Sequence, residues 1–172
     1  MTSADALRLL ADLGASPWLV RHHELVVEAA AILCERVPRE LGVSFDREQV
    51  LVGAALHDAG KIRHPDEMRA PGSRHERAGE QLLIERGVEP ALARFCATHA
   101  AWDRPELAIE DLLVALADKL WKGKREDELE RRVAEVIARA SGRESWAVFD
   151  RLDAVCDDIA AGGPERLARS NV

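Results

Sequence analysis

Apolar residues recur at three- and four-residue steps along nearly all of this chain, and alternating β-branched stretches are almost absent. That period lays one apolar stripe along an α-helix, whereas a half-buried strand needs a period of two. The chain is therefore expected to fold as an all-α protein. Helices are expected at residues 3–13, 17 to 35 or 37, 46–59, 74–87, 90–101, 109–121, 125–140 and 143–161. Ser16-Pro17, Asp46 with Gln49, and Ser73 with Glu76 are start signals for three of them. Residues 60–72 read as a charged loop holding Pro65, Pro71 and Gly72. Residues 163–172 read as a frayed or unstructured tail.

A chain of 172 residues suits a single domain and is long enough to bury a core without disulfides or a structural metal. The formal charge is −7 and no basic stripe is present, so neither a nucleic-acid polymer nor an anionic membrane is an expected partner. Cys34, Cys96 and Cys156 form no CxxC pair, which excludes a cysteine-based zinc site and suggests reduced, buried thiols. No apolar run approaches a membrane span, and the first residues lack a signal-peptide pattern. A cytoplasmic location is expected.

Six histidines all fall between His22 and His99, most of them on faces that should be apolar. His57-Asp58 closes a run of almost wholly apolar residues, where the helix dipole is negative and a carboxylate is poorly placed. Asp118 stands amid apolar neighbours in residues 112–121. His22 and His23 flank the apolar face of the second helix, and helical geometry slightly favours His23 as the inward one. His75 sits beside the small pair Ala78-Gly79, which suggests close helix packing. His99 lies on the side of Leu92, Phe95 and Cys96. Taken singly, each has an ordinary structural reading. One metal centre accounts for all of them, because neutral imidazole and carboxylate are a ligand set for first-row divalent metals. Helical bundles build such sites from facing helices.

The ordered set His22, His57-Asp58-x-Gly60-Lys61, His75-x-x-x-Gly79, His99 and Asp118 resembles the HD-domain metal-dependent phosphohydrolase superfamily over residues 17–122. The resemblance implies a helical bundle of about seven to nine helices. It implies that His22, His57, Asp58 and Asp118 hold one divalent metal, and that Asp58 bridges to a second held by His75 and His99. The family spacing to Val26-Val27 selects His22 over His23. Iron or manganese is the implied metal, with zinc, nickel, cobalt or magnesium also compatible, as one or two ions.

Asp58 and Lys61 are the implied catalytic residues, Asp58 fixing the metals and Lys61 reaching a phosphate. The locally basic loop with Arg63, His64, Arg69 and Arg74 suits a small anionic phosphorylated substrate, such as a nucleotide, and Trp102 is a candidate to stack on a ring. His99 is followed by Ala100 rather than by a second His, and no Tyr is present, against the cyclic-dinucleotide branch, and Gly60-Lys61 replaces the acidic residues of the alarmone hydrolases. The alternatives are a di-iron oxygenase with the same ligands and a non-catalytic signalling domain. The helices over residues 125–162 are expected to form a cap over the site or a homodimer surface.

Overall fold

A computed structural model describes residues 1–171; the last residue of the expected tail, Val172, lies outside the described residues. Helix α1 (Ser3–Asp12) is capped by Thr2, whose side chain accepts from Asp5 N while Asp5 bonds back. The spine is α2 (Pro17–Leu41), which starts at the Ser16 cap as expected. It runs past Pro38, where the expectation had it stop. Proline removes one backbone donor, but Val37 and Leu41 are fully buried and Gly42, at φ 70°, ends the helix in the left-handed conformation. Burial of the last turn outweighs the missing bond.

Helix α3 (Arg47–Leu56) is capped by Asp46, which accepts from Gln49 N. The reciprocal bond comes from Glu110 rather than Gln49: Asp46 N donates to Glu110 Oε1 at 2.9 Å. Every residue of α3 from Val50 onward is buried. Its residues divide between two core clusters: Val50, Leu51 and Ala54 join the main one, and Val52, Ala55 and Leu56 join a smaller one with α1. The chain then turns through His57-Asp58. The expected loop is instead two single 3₁₀ turns, at Ala59–Ile62 and Pro65–Met68.

Helix α4 (Arg74–Glu85) follows, then two short helices, α5 (Pro90–Ala93) and α6 (Phe95–Thr98), parted at Arg94. Helix α7 (Ile109–Leu120) is buried from Asp111 to Asp118. A polar clasp joins these pieces. The Arg94 guanidinium donates to Asp111 and Gln49, and Thr98 Oγ1 donates to Asp111 Oδ1 at 2.8 Å. The buried Asp111 carboxylate is thereby satisfied, and His99 is set against α7.

Helices α8 (Asp127–Ser141) and α9 (Ser145–Ala161) supply Leu129, Val133, Ile137, Leu152, Val155 and Ile159 to the main core. One face of this pair is therefore core. The charged run at 124–135 is partly a tie: Glu130 is buried and pairs with Arg125. The residues expected as a loose tail form α10 (Gly163–Arg169). Arg166 anchors it, donating to the carbonyls of Trp121, Leu120 and Ile159. These carbonyls lie at the ends of α7 and α9, where helices leave acceptors unpaired. A residue-local reading could not see the Trp121 and Leu120 carbonyls, 45 and 46 residues away.

Eight of the ten α-helical segments among the described residues are longer than four residues, within the seven to nine expected, and the described residues contain no strand. All three cysteines are buried thiols, and burial pushes that of Cys34 up to about 11. No helix among the described residues is long and apolar enough to cross a membrane.

Candidate metal centre

Five segments converge at one end of the bundle: α2 brings His22, the turn after α3 brings His57 and Asp58, α4 brings His75, the end of α6 brings His99, and α7 brings Asp118. The approach of α4 depends on two glycines. A Cβ on Gly60 would overlap the His75 carbonyl, and one on Gly79 would stand 2.7 Å from Gly60 N and 2.9 Å from Cys96 Sγ. Backbone touches backbone there, which only glycine permits. The close packing expected at Ala78-Gly79 is thus made by Gly79 against Gly60.

Two groups of three residues result, His22 with His57 and Asp118, and Asp58 with His75 and His99. Within each, one ligand atom per residue lies within 4.8 Å of the others. Asp58 faces both groups. Its Oδ2 is 3.3 Å from His22 Nε2 and 3.6 Å from His57 Nε2. Its Oδ1 is 3.1 Å from His75 Nε2 and 3.7 Å from His99 Nε2. Asp118 Oδ1 is 3.5 Å from His57 Nε2.

The tautomers follow from the outer bonds. His57 Nδ1 meets the Ala54 carbonyl at 2.9 Å, His99 Nδ1 meets the Phe95 carbonyl at 3.0 Å, and His75 Nδ1 meets Glu67 Oε2 at 2.7 Å. Carbonyl and carboxylate oxygens only accept, so each Nδ1 carries the proton. A ring with its proton on Nδ1 has an Nε2 lone pair to turn inward, onto carboxylates that are also acceptors. Buried acceptors facing acceptors are unfavourable without a cation. Asp58 Oδ1 and His22 Nδ1 are buried and without a hydrogen-bond partner. The donor set, the inward lone pairs and the orphaned carboxylate oxygen all fit divalent metal ions.

Electrostatics agrees. Burial holds His22 below its ordinary pKa and pushes His99 down to about 4, which keeps both rings neutral. Burial alone would raise Asp58 and Asp118, but the surrounding imidazoles, led by His57, outweigh it and hold both carboxyls well below the usual range. Burial likewise opposes charge on His75, yet its contacts with Asp58 and Glu67 win and raise it.

Both His22 and His23 point inward. His23 is fully buried, with Nδ1 on the Leu19 carbonyl at 2.9 Å, and its Nε2 accepts from Asp58 N at 3.3 Å. It therefore holds the backbone of Asp58, and His22 is the ring that faces the carboxylates.

The surrounding cavity, of about 480 Å³, is lined by Lys61, as expected, and by Lys119, Lys122, Trp18 and Trp121, which the sequence did not single out. Lys61 Nζ donates to Asp58 Oδ2 at 2.5 Å, as its position three residues on allows. Lys119 and Lys122, one and four residues after Asp118, lie 3.3 and 3.9 Å from its carboxylate oxygens. Trp18 and Trp121 flank His22, and Leu167 and Ser170 of the C-terminal segment close one side.

Three expected substrate contacts do not line this cavity. Arg63 pairs with Glu85, Arg74 pairs with Glu67 and Asp66, and Trp102 packs against the main core. Arg63 and Arg74 spend their charge on neighbouring carboxylates, and the lysines that line the cavity are Lys61, Lys119 and Lys122.

Glu67 was also missed. The Ser73 side chain makes no capping bond, because Ser73 is not in the extended conformation of a cap. Glu67 takes that role from eight residues upstream, accepting from His75 N at 3.0 Å and from Arg74 N at 3.3 Å. Gly72 leaves the room for it. The hydrogen bonds to His75 and Arg74 overcome the opposing effect of burial and hold the Glu67 carboxyl down at about 2. Charge at a helix N-terminus favours the same form.

The HD domain family model matches residues 19–121, which include all six ligand positions. The chain belongs to the HD domain family. Proteins of this family are generally metal-dependent phosphohydrolases. No significant match is found among curated proteins or among solved structures. The matched region of this HD domain ends at Trp121, so α8, α9 and α10 lie beyond it.

Proposed function

We propose that this HD domain is a metal-dependent phosphohydrolase that cleaves a phosphate ester or anhydride of a small metabolite. The observation that carries the reading is the convergence of four imidazoles and two carboxylates in two buried groups, with Asp58 Oδ1 between the imidazoles and without a hydrogen-bond partner. His22, His57 and Asp118 would hold one divalent ion, His75 and His99 a second, with Asp58 shared. When bound, such ions supply Lewis acidity at a phosphoryl oxygen and acidify water.

The protein's own residues do the rest. The Nδ1 contacts to Ala54, Phe95 and Glu67 fix the rings before substrate arrives, so no reorganisation is needed at the moment of reaction. Lys61 and Lys122 place ammonium groups beside the two carboxylates, where they hold phosphate oxygens as point charges. Trp121, 5% exposed, walls the site and limits water entry. The C-terminal segment with Leu167 closes the opposite edge.

The test is metal stoichiometry by plasma mass spectrometry on protein purified without added metal, joined to phosphatase assays of the same preparation. The expected result is about two equivalents of a first-row ion such as iron or manganese. Asp58→Ala is expected to lose most of both metal and activity while keeping its helical circular dichroism. Full activity in that variant would overturn the reading.

A further inference from the structure

Helices α8 and α9 turn one face into the core, and their outer face is left without a role. No residue of either helix lines the metal-side cavity, whose edge is closed by α10. The outer face carries a groove of about 690 Å³, lined by Arg131, Ala134 and Glu135 of α8 and by Trp146, Phe149 and Asp150 of α9.

The middle of this groove is apolar. Trp146 is 74% exposed and Phe149 36%. Three residues apart on one helix, they share a face. The other exposed large apolar side chains among the described residues, Met1, Ile84 and Leu167, stand on separate segments. A single surface hydrophobe needs no explanation, but an indole and a phenyl ring together over a groove mark an interaction surface. Tryptophan is prominent among the residues that anchor protein interfaces. Ala134, buried and small, leaves room on the groove floor for an inserted ring.

The charges around the groove point to its occupant. Arg131, Glu135 and Asp150 are exposed and form no ion pair with the described residues. Further along the same helix pair the charges are matched: Arg125 meets Asp153 and Asp157, and Arg36 meets Asp158. The groove therefore holds free charges of both signs around an apolar middle, which is the layout of a specific interface. A partner carrying one sign of charge would always meet a like charge here. A second copy turned by a two-fold axis lays α8 against α9 and brings opposite signs together twice. The size agrees with a modest interface. Helices of 15 and 17 residues, each about 10 Å wide, present an outer face of roughly 450 Å². Two copies then bury roughly 900 Å², close to the 1,000 Å² or so that a specific interface needs.

We propose that the chain forms a two-fold homodimer through the outer face of α8 and α9, with Trp146 and Phe149 of each copy over the groove of the other and Arg131 of each facing Asp150 of its mate. The dimer face and the metal-side cavity share no lining residue, so assembly and hydrolysis are scored independently.

The experiment is sedimentation equilibrium of the full chain from about 1 µM to about 1 mM. The mass is expected to climb from 19.0 kDa toward twice that value. A face of this size places the midpoint at about 10–100 µM. Trp146→Ala should weaken the dimer about tenfold or more, since each substitution acts twice, while metal content and helical circular dichroism stay as in the wild type. Arg131→Asp and Asp150→Arg should each weaken it about fivefold by setting like charges face to face, and the double variant should return to near wild-type affinity.

A wild-type protein that stays monomeric throughout overturns the proposal and leaves the face to a different partner. Association that continues past the dimer overturns the closed two-fold arrangement. A dimer untouched by Trp146→Ala lies on another surface and overturns the proposal too. So do single charge reversals without effect, or a double variant as weak as the singles.

Discussion

Glu67 illustrates how one side chain sets a ligand. Its two oxygens accept the first backbone donors of α4 and the Nδ1 proton of His75, so they fix both the start of the helix and the tautomer of its ligand ring. Partners of this kind are worth about 10–100-fold in metal affinity. Glu67→Gln is therefore expected to weaken one of two metal equivalents by about that factor, because Glu67 bonds only to the His75 side. Competition with a chromogenic chelator measures the two affinities; equal weakening of both would contradict the two-group arrangement. The histidines themselves were legible in the sequence because imidazole on an apolar face is costly. Glu67 was not, since an acidic residue in a Pro-rich loop looks like surface. Helical geometry did not separate His22 from His23, as both rings are inward; the family spacing to Val26-Val27 selected His22, and their bonding partners differ.

At the scale of elements, α4 meets the turn after Asp58 through bare backbone. Gly79→Ala puts a methyl group 2.7 Å from Gly60 N, with Cys96 closing the other side. Overpacking of this sort costs about 1–3 kcal/mol. Urea denaturation should report that loss, and His75 should move away from Asp58, lowering metal content with it. Unchanged stability would mean that α4 can shift without harm. The helix pattern was readable because apolar spacing and caps are local. Its failures were also local rules overruled from outside: Pro38 inside α2, Glu110 in place of Gln49 at the α3 cap, and Glu67 in place of Ser73 at α4.

The whole molecule depends on its last helix more than its sequence suggests. Arg166 is 4% exposed and satisfies carbonyls from two helix ends. Arg166→Ala leaves the Trp121 carbonyl without its donor, at a cost of about 1–3 kcal/mol, whereas the Leu120 and Ile159 carbonyls keep Gly123 N and Gly162 N. For a chain of this size the thermal midpoint should fall by about 2–4 °C per kcal/mol. Differential scanning calorimetry checks it, and a midpoint within 1 °C or so of wild type would show α10 to be dispensable. Loss of the helix also removes Leu167 and Ser170 from the cavity wall.

The sequence alone determined the all-helical class and the family and named the six candidate ligand positions, because periodicity and the burial cost of polar groups are written in local order. Tertiary structure alone decided which cations face the site, what orients His75, and where the chain end docks. Each of those depends on partners distant in sequence, such as Arg166 with Trp121 or Trp18 with Met68. An exposed loop and a buried wall are written in the same residue types, and only packing tells them apart.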